Sequence, residues 1–223
     1  MNIAIDGPAG AGKSTIARLV ANRLGFLYVD TGAMYRAIAL YILDSHVDPE
    51  NADALNTALD QIHIDIVYEN GVQHVLLNLQ DVSAEIRSPK VSMMASTTSA
   101  IPAVRAKLLD LQRNLAAKND VLMDGRDIGT NILPNAELKI FLTASVEVRA
   151  KRRFDEMVQR GERLDIEDVK ADIQQRDTQD MNRAVAPLKQ AEDAVFIDSS
   201  YMTIEEVVKE IMTLAEKVKQ ENA

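Results

Sequence analysis

Residues 7–15, Gly7-Pro8-Ala9-Gly10-Ala11-Gly12-Lys13-Ser14-Thr15, match G-x-x-x-x-G-K-[ST] in full. The pattern has a chemical reason. Glycines let the backbone curl until several N–H groups point inward at phosphate oxygens. A helix that begins at the end of such a loop adds its positive N-terminal pole. Lys13 is then placed to reach the β- and γ-phosphates of a bound nucleotide, and Ser14 offers a hydroxyl to Mg²⁺. A bare glycine-rich turn is the bland alternative, and it does not explain the Lys-Ser-Thr that follows.

Three further segments carry groups suited to anions. Asp30-Thr31-Gly32-Ala33-Met34-Tyr35-Arg36 contains a candidate helix cap in Thr31 and a cation, Arg36, one turn in. Asp124-Gly125-Arg126-Asp127-Ile128-Gly129 follows the apolar Val121-Leu122-Met123, which has the character of a Walker B strand or of any buried strand with a polar end. Arg176-Asp177-x-x-Asp180-x-Asn182-Arg183 sets two arginines seven residues apart, on one face if a helix continues through them. Taken singly these are a cap, a turn and a salt-bridged helix. Taken together they suit phosphoryl transfer, which asks for charge stabilisation and in-line positioning and for little covalent help.

The elements that must position these groups follow from periodicity. Asn2 to Asp6 is a short apolar run ending at Gly7-Pro8, a buried strand. Ile16, Leu19, Val20 and Leu24 share one helical face, closed by Gly25. Residues 26–29 form a second strand, and helices are expected over 32–43 and 52–59. The pattern then changes to period two. Ile62, Ile64 and Ile66, then Val75, Leu77 and Leu79, alternate on either side of Asn70-Gly71, a hairpin signal. An antiparallel insert is therefore expected at about 62–99. Beyond it come a helix striped by Val104, Leu108, Leu111 and Leu115, and strands over 121–123 and 138–142. Polar helices over 146–159 and 166–177 lead to a strand over 194–197 and a last amphipathic helix. Five short apolar strands separated by helices predict a parallel sheet covered on both faces, in an α/β fold.

The chain of 223 residues is 47% apolar and 26% charged, sized for one domain with an inserted subdomain. Its net charge of −9 argues against a general nucleic-acid binder. No apolar run approaches a membrane span, and no basic leader precedes the first strand, so a cytoplasmic location is expected. There is no cysteine, hence no disulfide or thiolate metal site. His46, His63 and His74 lack ligand spacing. The basic residues Arg149, Lys151, Arg152, Arg153, Arg160, Arg163, Lys170, Arg176 and Arg183 crowd one stretch, as an anion site or as a salt-bridged face. A GTPase would carry Asn-Lys-x-Asp, which is absent, and a motor or transport ATPase needs a longer chain. A small phosphotransferase remains.

Over essentially its whole length the sequence resembles the bacterial-type cytidylate kinases, a family of nucleoside monophosphate kinases. The resemblance rests on GPAGAGKST, DTGAMYR, the hairpin with DVSAEIR, MDGRDIGT and RDTQDMNRAVAPL. It implies the P-loop kinase fold with a five-stranded parallel core, an inserted antiparallel monophosphate-binding subdomain and a helical lid at about 149–163. It implies ATP-dependent phosphorylation of CMP, and of dCMP, with Mg²⁺ as cofactor, by a monomer. Thr31 and Arg36 would lie near the CMP phosphate. Ser96, Arg105 and Asp127 would surround cytosine. Arg176 and Asp180 would approach the ribose, and Arg183 the phosphate or base edge. Lys13, Arg126, Arg153, Arg176 and Arg183 would carry the catalytic charge, with Arg149 and Arg152 as further lid arginines. A kinase for uridylate or another metabolite, and a nucleotide sensor without catalysis, are the competing readings. The intact Lys13, Ser14 and arginine set speak against the sensor.

Overall fold

The structure, a computed structural model, describes residues 1–159 and 161–221. Arg160, one of the basic residues of the expected lid, lies outside the described residues. Two compact units are present, one formed by Met1–Tyr28 with Asn119–Ala223, the other by Val29–Lys118.

The first unit is built on a five-stranded sheet. Its strands are β1 (Asn2–Asp6), β2 (Leu27–Asp30), β6 (Val121–Gly125), β7 (Leu138–Thr143) and β8 (Val195–Asp198), in the order β2-β6-β1-β7-β8. β1 pairs in parallel with β6, Asp6 opposite Gly125, and with β7, Asp6 opposite Phe141. β7 pairs in parallel with β8. Ile3, Ala4 and Ile5 are wholly buried because both faces of the sheet are covered, so β1 has no polar side. Strand order reverses about β1, and ligands of open α/β sheets bind at the carboxyl ends beside such a reversal. That end of β1 is where the glycine-rich loop begins.

Helix α1 (Lys13–Leu24) lays Ile16, Ala17, Val20 and Ala21 on the core, joined by Val207, Val208, Ile211 and Ala215 of α8 (Ile204–Glu221). Gly25 ends α1 in the left-handed region, its N–H reaching the carbonyls of Ala21 and Asn22. The polar helices α6 (Val146–Gln159) and α7 (Ile166–Asn182) meet over a small separate cluster of Ala150, Val169 and Ile173. α7 runs five residues further than the apolar pattern suggests, so Arg176 is helical and Arg183 is the C-cap. Among the described residues no helix is long and apolar enough to cross a membrane.

The second unit holds helices α2 (Thr31–Asp44), α3 (Ala52–Gln61), α4 (Pro89–Thr98) and α5 (Pro102–Lys118) with the antiparallel sheet β3 (Ile64–Glu69), β4 (Val72–Leu77), β5 (Gln80–Asp81). Ile64 faces Leu77 and Ile66 faces Val75 across the hairpin. Asn70 and Gly71 both take positive φ, the type I′ geometry that matches strand twist. β5 is too short to show in the sequence. Asp30, not Thr31, caps α2: its carboxylate accepts the Ala33 N–H at 2.9 Å, while Thr31 is the first helical residue.

Leu122 is fully buried in β6 within the main core. Leu122→Ala should lower the unfolding free energy by about 2–5 kcal/mol. Urea denaturation with an unchanged slope would read this.

Candidate active site

Between β1 and α1 the chain makes a loop whose backbone turns through angles that favour glycine, as Gly7 and Gly12 show. At Gly7, φ is 151° and a Cβ would stand 1.9 Å from the Leu142 carbonyl oxygen of the neighbouring strand. At Gly12, the N-cap of α1, φ is 83°. Pro8 and Ala11 are buried, and Gly10, Ser14 and Thr15 are exposed at the mouth of the loop. The Lys13 ammonium donates to the Pro8 carbonyl at 2.7 Å, folding back over the loop it follows. Ser14 Oγ donates to Asp124 Oδ2 at 2.9 Å, and the Tyr28 hydroxyl donates to the other Asp124 oxygen at 2.9 Å. The apolar-then-acidic strand β6 thus does deliver a carboxylate beside Ser14. A hydroxyl and a carboxylate in contact form a hard-oxygen pair suited to Mg²⁺, which takes one or two protein oxygens and fills its octahedron with water and phosphate.

Behind this pair stands a set of charges drawn from β6, α7 and the turns after them. Arg126 Nε donates to Asp180 Oδ2 at 2.7 Å. Arg183 donates from Nε to the Ala186 carbonyl at 2.7 Å and from Nη2 to Asp127 Oδ1 at 3.0 Å, and lies 3.7 Å from Asp180 Oδ1. Asp127 Oδ2 accepts from Asn131 Nδ2 at 3.0 Å. Arg126, Asp127, Asp180 and Arg183 are therefore one network. Arg176 and Arg153 instead hold local partners, Asp172 at 3.2 Å and Glu156 at 3.5 Å.

Two arginines of the expected lid, both on α6, have partners outside that helix. Arg149 is buried and reaches three ways, to the Ala144 carbonyl at 2.8 Å, to the Ala9 carbonyl of the phosphate loop at 2.9 Å, and to Asp177 of α7 at 2.7 Å. It forms part of the loop's foundation. Arg152 donates to the Ser199 hydroxyl and carbonyl, at 3.2 and 2.8 Å, and its Nη1 lies 3.9 Å from where a Gly12 Cβ would be.

In the second unit Arg36 donates to Asp30 Oδ2 at 3.0 Å, so one carboxylate both caps α2 and holds the guanidinium. Gln73 of β4 fastens the same corner, accepting the Asp30 N–H at 2.8 Å. Thr31 is buried beside it. Arg105 of α5 is buried over the Tyr35 ring, 5.5 Å from its centroid, and donates to the Ser99 carbonyl at 3.2 Å. Ser96 lies one turn earlier on α4, its carbonyl accepting from the Ser99 hydroxyl at 3.0 Å.

The sequence model described as cytidylate kinase matches residues 3–217. The cytidylate kinase of Caldicellulosiruptor saccharolyticus is 52% identical over 218 residues, covering 98% of this chain and 96% of that protein. The chain belongs to the cytidylate kinase family. The cytidylate kinase of Lactobacillus johnsonii is 48% identical over 222 residues, covering 100% and 96%. A solved structure of an uncharacterized protein from Eubacterium ventriosum shares the fold, with a TM-score of 0.54 at 11% identity, covering 97% of this chain and 98% of that one.

For a member of this family, the residues that sequence reasoning passed over are informative. Asp6 is buried at the end of β1, where its two oxygens accept the Ile128 and Gly129 N–H groups, each at 2.8 Å. The signal was an acid closing an otherwise apolar strand. Asp177 and Ser199 gave none, since each acts through a partner distant in sequence, Arg149 and Arg152; Asn131 bonds Asp127 only four residues away, through a side chain that no spacing rule singles out. Burial pushes the Asp6 carboxyl up to about 6, the two backbone donors only partly offsetting it. Burial and the neighbouring Arg126 push the Lys13 ammonium down to about 7, against the pull of Asp124, Asp180 and Asp6. Burial also opposes the charge on Arg126, but Asp180, with Asp124 and Asp177, more than offsets this and holds it above the ordinary arginine range.

Phosphate oxygens arriving at Lys13 favour its charged form, so they raise its proton affinity. Between the depressed value and the ordinary lysine range, near about pH 8, triphosphate binding should take up to about one proton from solution. Calorimetry in buffers of different ionisation enthalpy should show uptake for the native chain and none for Lys13→Met. Equal uptake by both would contradict the assignment.

Proposed function

We propose that this chain transfers the γ-phosphoryl group of ATP to CMP, and to dCMP, by direct in-line displacement. An oxygen of the acceptor phosphate forms the new bond to the γ-phosphorus, the bond from that phosphorus to the β,γ-bridging oxygen breaks, and ADP leaves with the electron pair. No general base is needed, because the attacking oxygen is already ionised near neutral pH. The observation that carries the reading is the Lys13 and Ser14–Asp124 constellation at the mouth of the loop, in a chain of this family.

Residues 7–15, Pro8 excepted, supply the N–H groups for the donor phosphates, and Lys13 follows the charge that gathers on the β,γ-oxygens. Ser14 and Asp124 would hold Mg²⁺. When bound, that ion screens the phosphate charges and orients them. Arg126 and Arg183 answer the developing charge, with Arg153 and Arg176 supplied from α6 and α7. Thr31 and Arg36 are assigned to the acceptor phosphate, Asp180 and Arg176 to its ribose, and Ser96, Arg105 and Asp127 to its base. Asp127 already accepts from Arg183 and Asn131. The exocyclic amino group of cytosine would donate to this carboxylate. Uracil presents an oxygen at that place, acceptor against acceptor.

The direct experiment measures phosphorylation of CMP, dCMP, UMP and AMP side by side with Mg-ATP. CMP and dCMP should turn over well, UMP clearly less, and AMP hardly at all. Comparable use of UMP would favour the uridylate reading, and no ATP consumption with any acceptor would favour a sensor.

A mismatch that leaves a buried polar group unpaired costs about 1–3 kcal/mol, and more for a charged one. Asp127→Ala should therefore lower kcat/KM for CMP by about tenfold or more relative to UMP and narrow the ratio between them. If Asp127 serves only to hold Arg183, both acceptors will lose activity by the same factor.

A further inference from the structure

Asp6 is a charged group in an expensive place. It ends the central strand, immediately before the first glycine of the phosphate loop, and is 5% exposed. An isolated carboxylate out of water is strongly disfavoured. Here its oxygens are spent on two consecutive backbone donors, Oδ1 on Ile128 N–H and Oδ2 on Gly129 N–H. Those two residues directly follow Asp127. They open the turn Ile128–Ile132, a π-type turn in which the Asp127 carbonyl accepts from the Asn131 and Ile132 N–H groups at 2.9 and 3.2 Å. Asn131 then sends its side chain back to Asp127 Oδ2 at 3.0 Å.

The chain of contacts is closed. Asp6 fixes the direction of two amides, the amides fix the turn, and the turn fixes both the backbone of Asp127 and the Asn131 donor that holds one of its oxygens. The seat is tight as well. A Cβ on Gly129 would stand 3.1 Å from Lys139 Cδ and 3.4 Å from Asp6 Oδ2. Only a carboxylate offers two equivalent acceptors to two parallel N–H groups. An amide of the same shape would set its own N–H₂ against one of them.

We propose that Asp6 is a positioning residue for the acceptor base: by holding the Ile128 and Gly129 amides it places Asp127, and so sets the preference for CMP over UMP. The inference rests on the assignment of Asp127 to the base. A residue of the donor loop's own strand thereby reaches the acceptor chemistry without touching either nucleotide.

The test is steady-state kinetics of Asp6→Asn with CMP and UMP, alone and in the Asp127→Ala background. Displacement of a recognition group by about an ångström can cost on the order of 100-fold, so a narrowing of the CMP/UMP ratio by about tenfold or more is expected. It should appear mainly as a raised KM for CMP, with the KM for ATP changed far less. In the Asp127→Ala background Asp6→Asn should narrow the ratio no further, since both changes remove one interaction. Faster hydrogen exchange at the Ile128 and Gly129 amides should accompany the kinetic change. If Asp6→Asn does not fold, Gly129→Ala, which crowds the same seat from the other side, should narrow the ratio in the same direction. An unchanged ratio in the folded Asp6→Asn protein, or in Gly129→Ala in its place, overturns the proposal while the role of Asp127 stands. An unchanged ratio in Asp127→Ala rejects the base-reading assignment itself, and the role of Asp6 falls with it.

Discussion

An ammonium group stripped of most of its water is the constraint on which the rest of the first unit depends. Lys13 is buried at the start of α1, its Nζ donating to the Pro8 carbonyl. Burial and Arg126 disfavour its charge; Asp124, Asp180 and Asp6 favour it. A polyanion docking on the loop's N–H groups would resolve this contest in favour of the charged form. The order β6-β1-β7 brings the loop, Asp124 and the Asp127 turn to one edge of one sheet. Breaking a buried ion pair by removing one partner is far more damaging than replacing both, and Arg183–Asp127 is such a pair, with Arg126–Asp180 half-buried beside it.

The polar helices α6 and α7 show how such a network can stand in for apolar packing. Their own cluster is small, Ala150, Val169 and Ile173 with a few half-buried neighbours. The Arg149 guanidinium makes up the deficit, joining the end of β7, the Ala9 carbonyl of the loop and Asp177 of α7 through one rigid, multidentate group. α7 also carries Asp180 and is capped by Arg183, so the helix that bears these two side chains is tied through Arg149 to the backbone of the glycine-rich loop. A shift of α7 is therefore felt at the loop.

The sheet, the glycine-rich loop and the hairpin were legible in the sequence because each rests on local spacing. Glycines recur at fixed offsets in the loop, strands carry unbroken apolar runs, and Asn70-Gly71 takes the positive φ angles its turn requires. The pairings were not legible, because they join residues far apart in the chain. Arg126 meets Asp180 across 54 positions and Arg183 meets Asp127 across 56. Spacing shows that arginines and aspartates are present and gives no means of matching them. The same limit hid Arg149, which reads as one more cation on a polar helix until its three partners are in place. At α2 the competition was local and still misjudged. Asp30 and Thr31 are both good caps, and Asp30 prevails because its second oxygen also holds Arg36.

That last contact belongs to a wider pattern. The arginines assigned to the nucleotides and to the transferred charge are each paired with a carboxylate: Arg36 with Asp30, Arg126 with Asp180, Arg183 with Asp127, Arg176 with Asp172 and Arg153 with Glu156. Each guanidinium is thereby kept near one geometry instead of sampling the many rotamers of a free arginine, so less order has to be imposed when a nucleotide arrives. The arrangement also leaves capacity in reserve. Arg36 Nε is buried with no acceptor among the described residues, and a guanidinium that presents five N–H donors can turn some toward a phosphate while keeping one on its carboxylate. At each of these arginines a nucleotide phosphate would then share or replace a carboxylate partner. Such an exchange favours ligands that bring as much negative charge, at as fixed a geometry, as the carboxylates they displace, and a nucleotide phosphate meets both conditions.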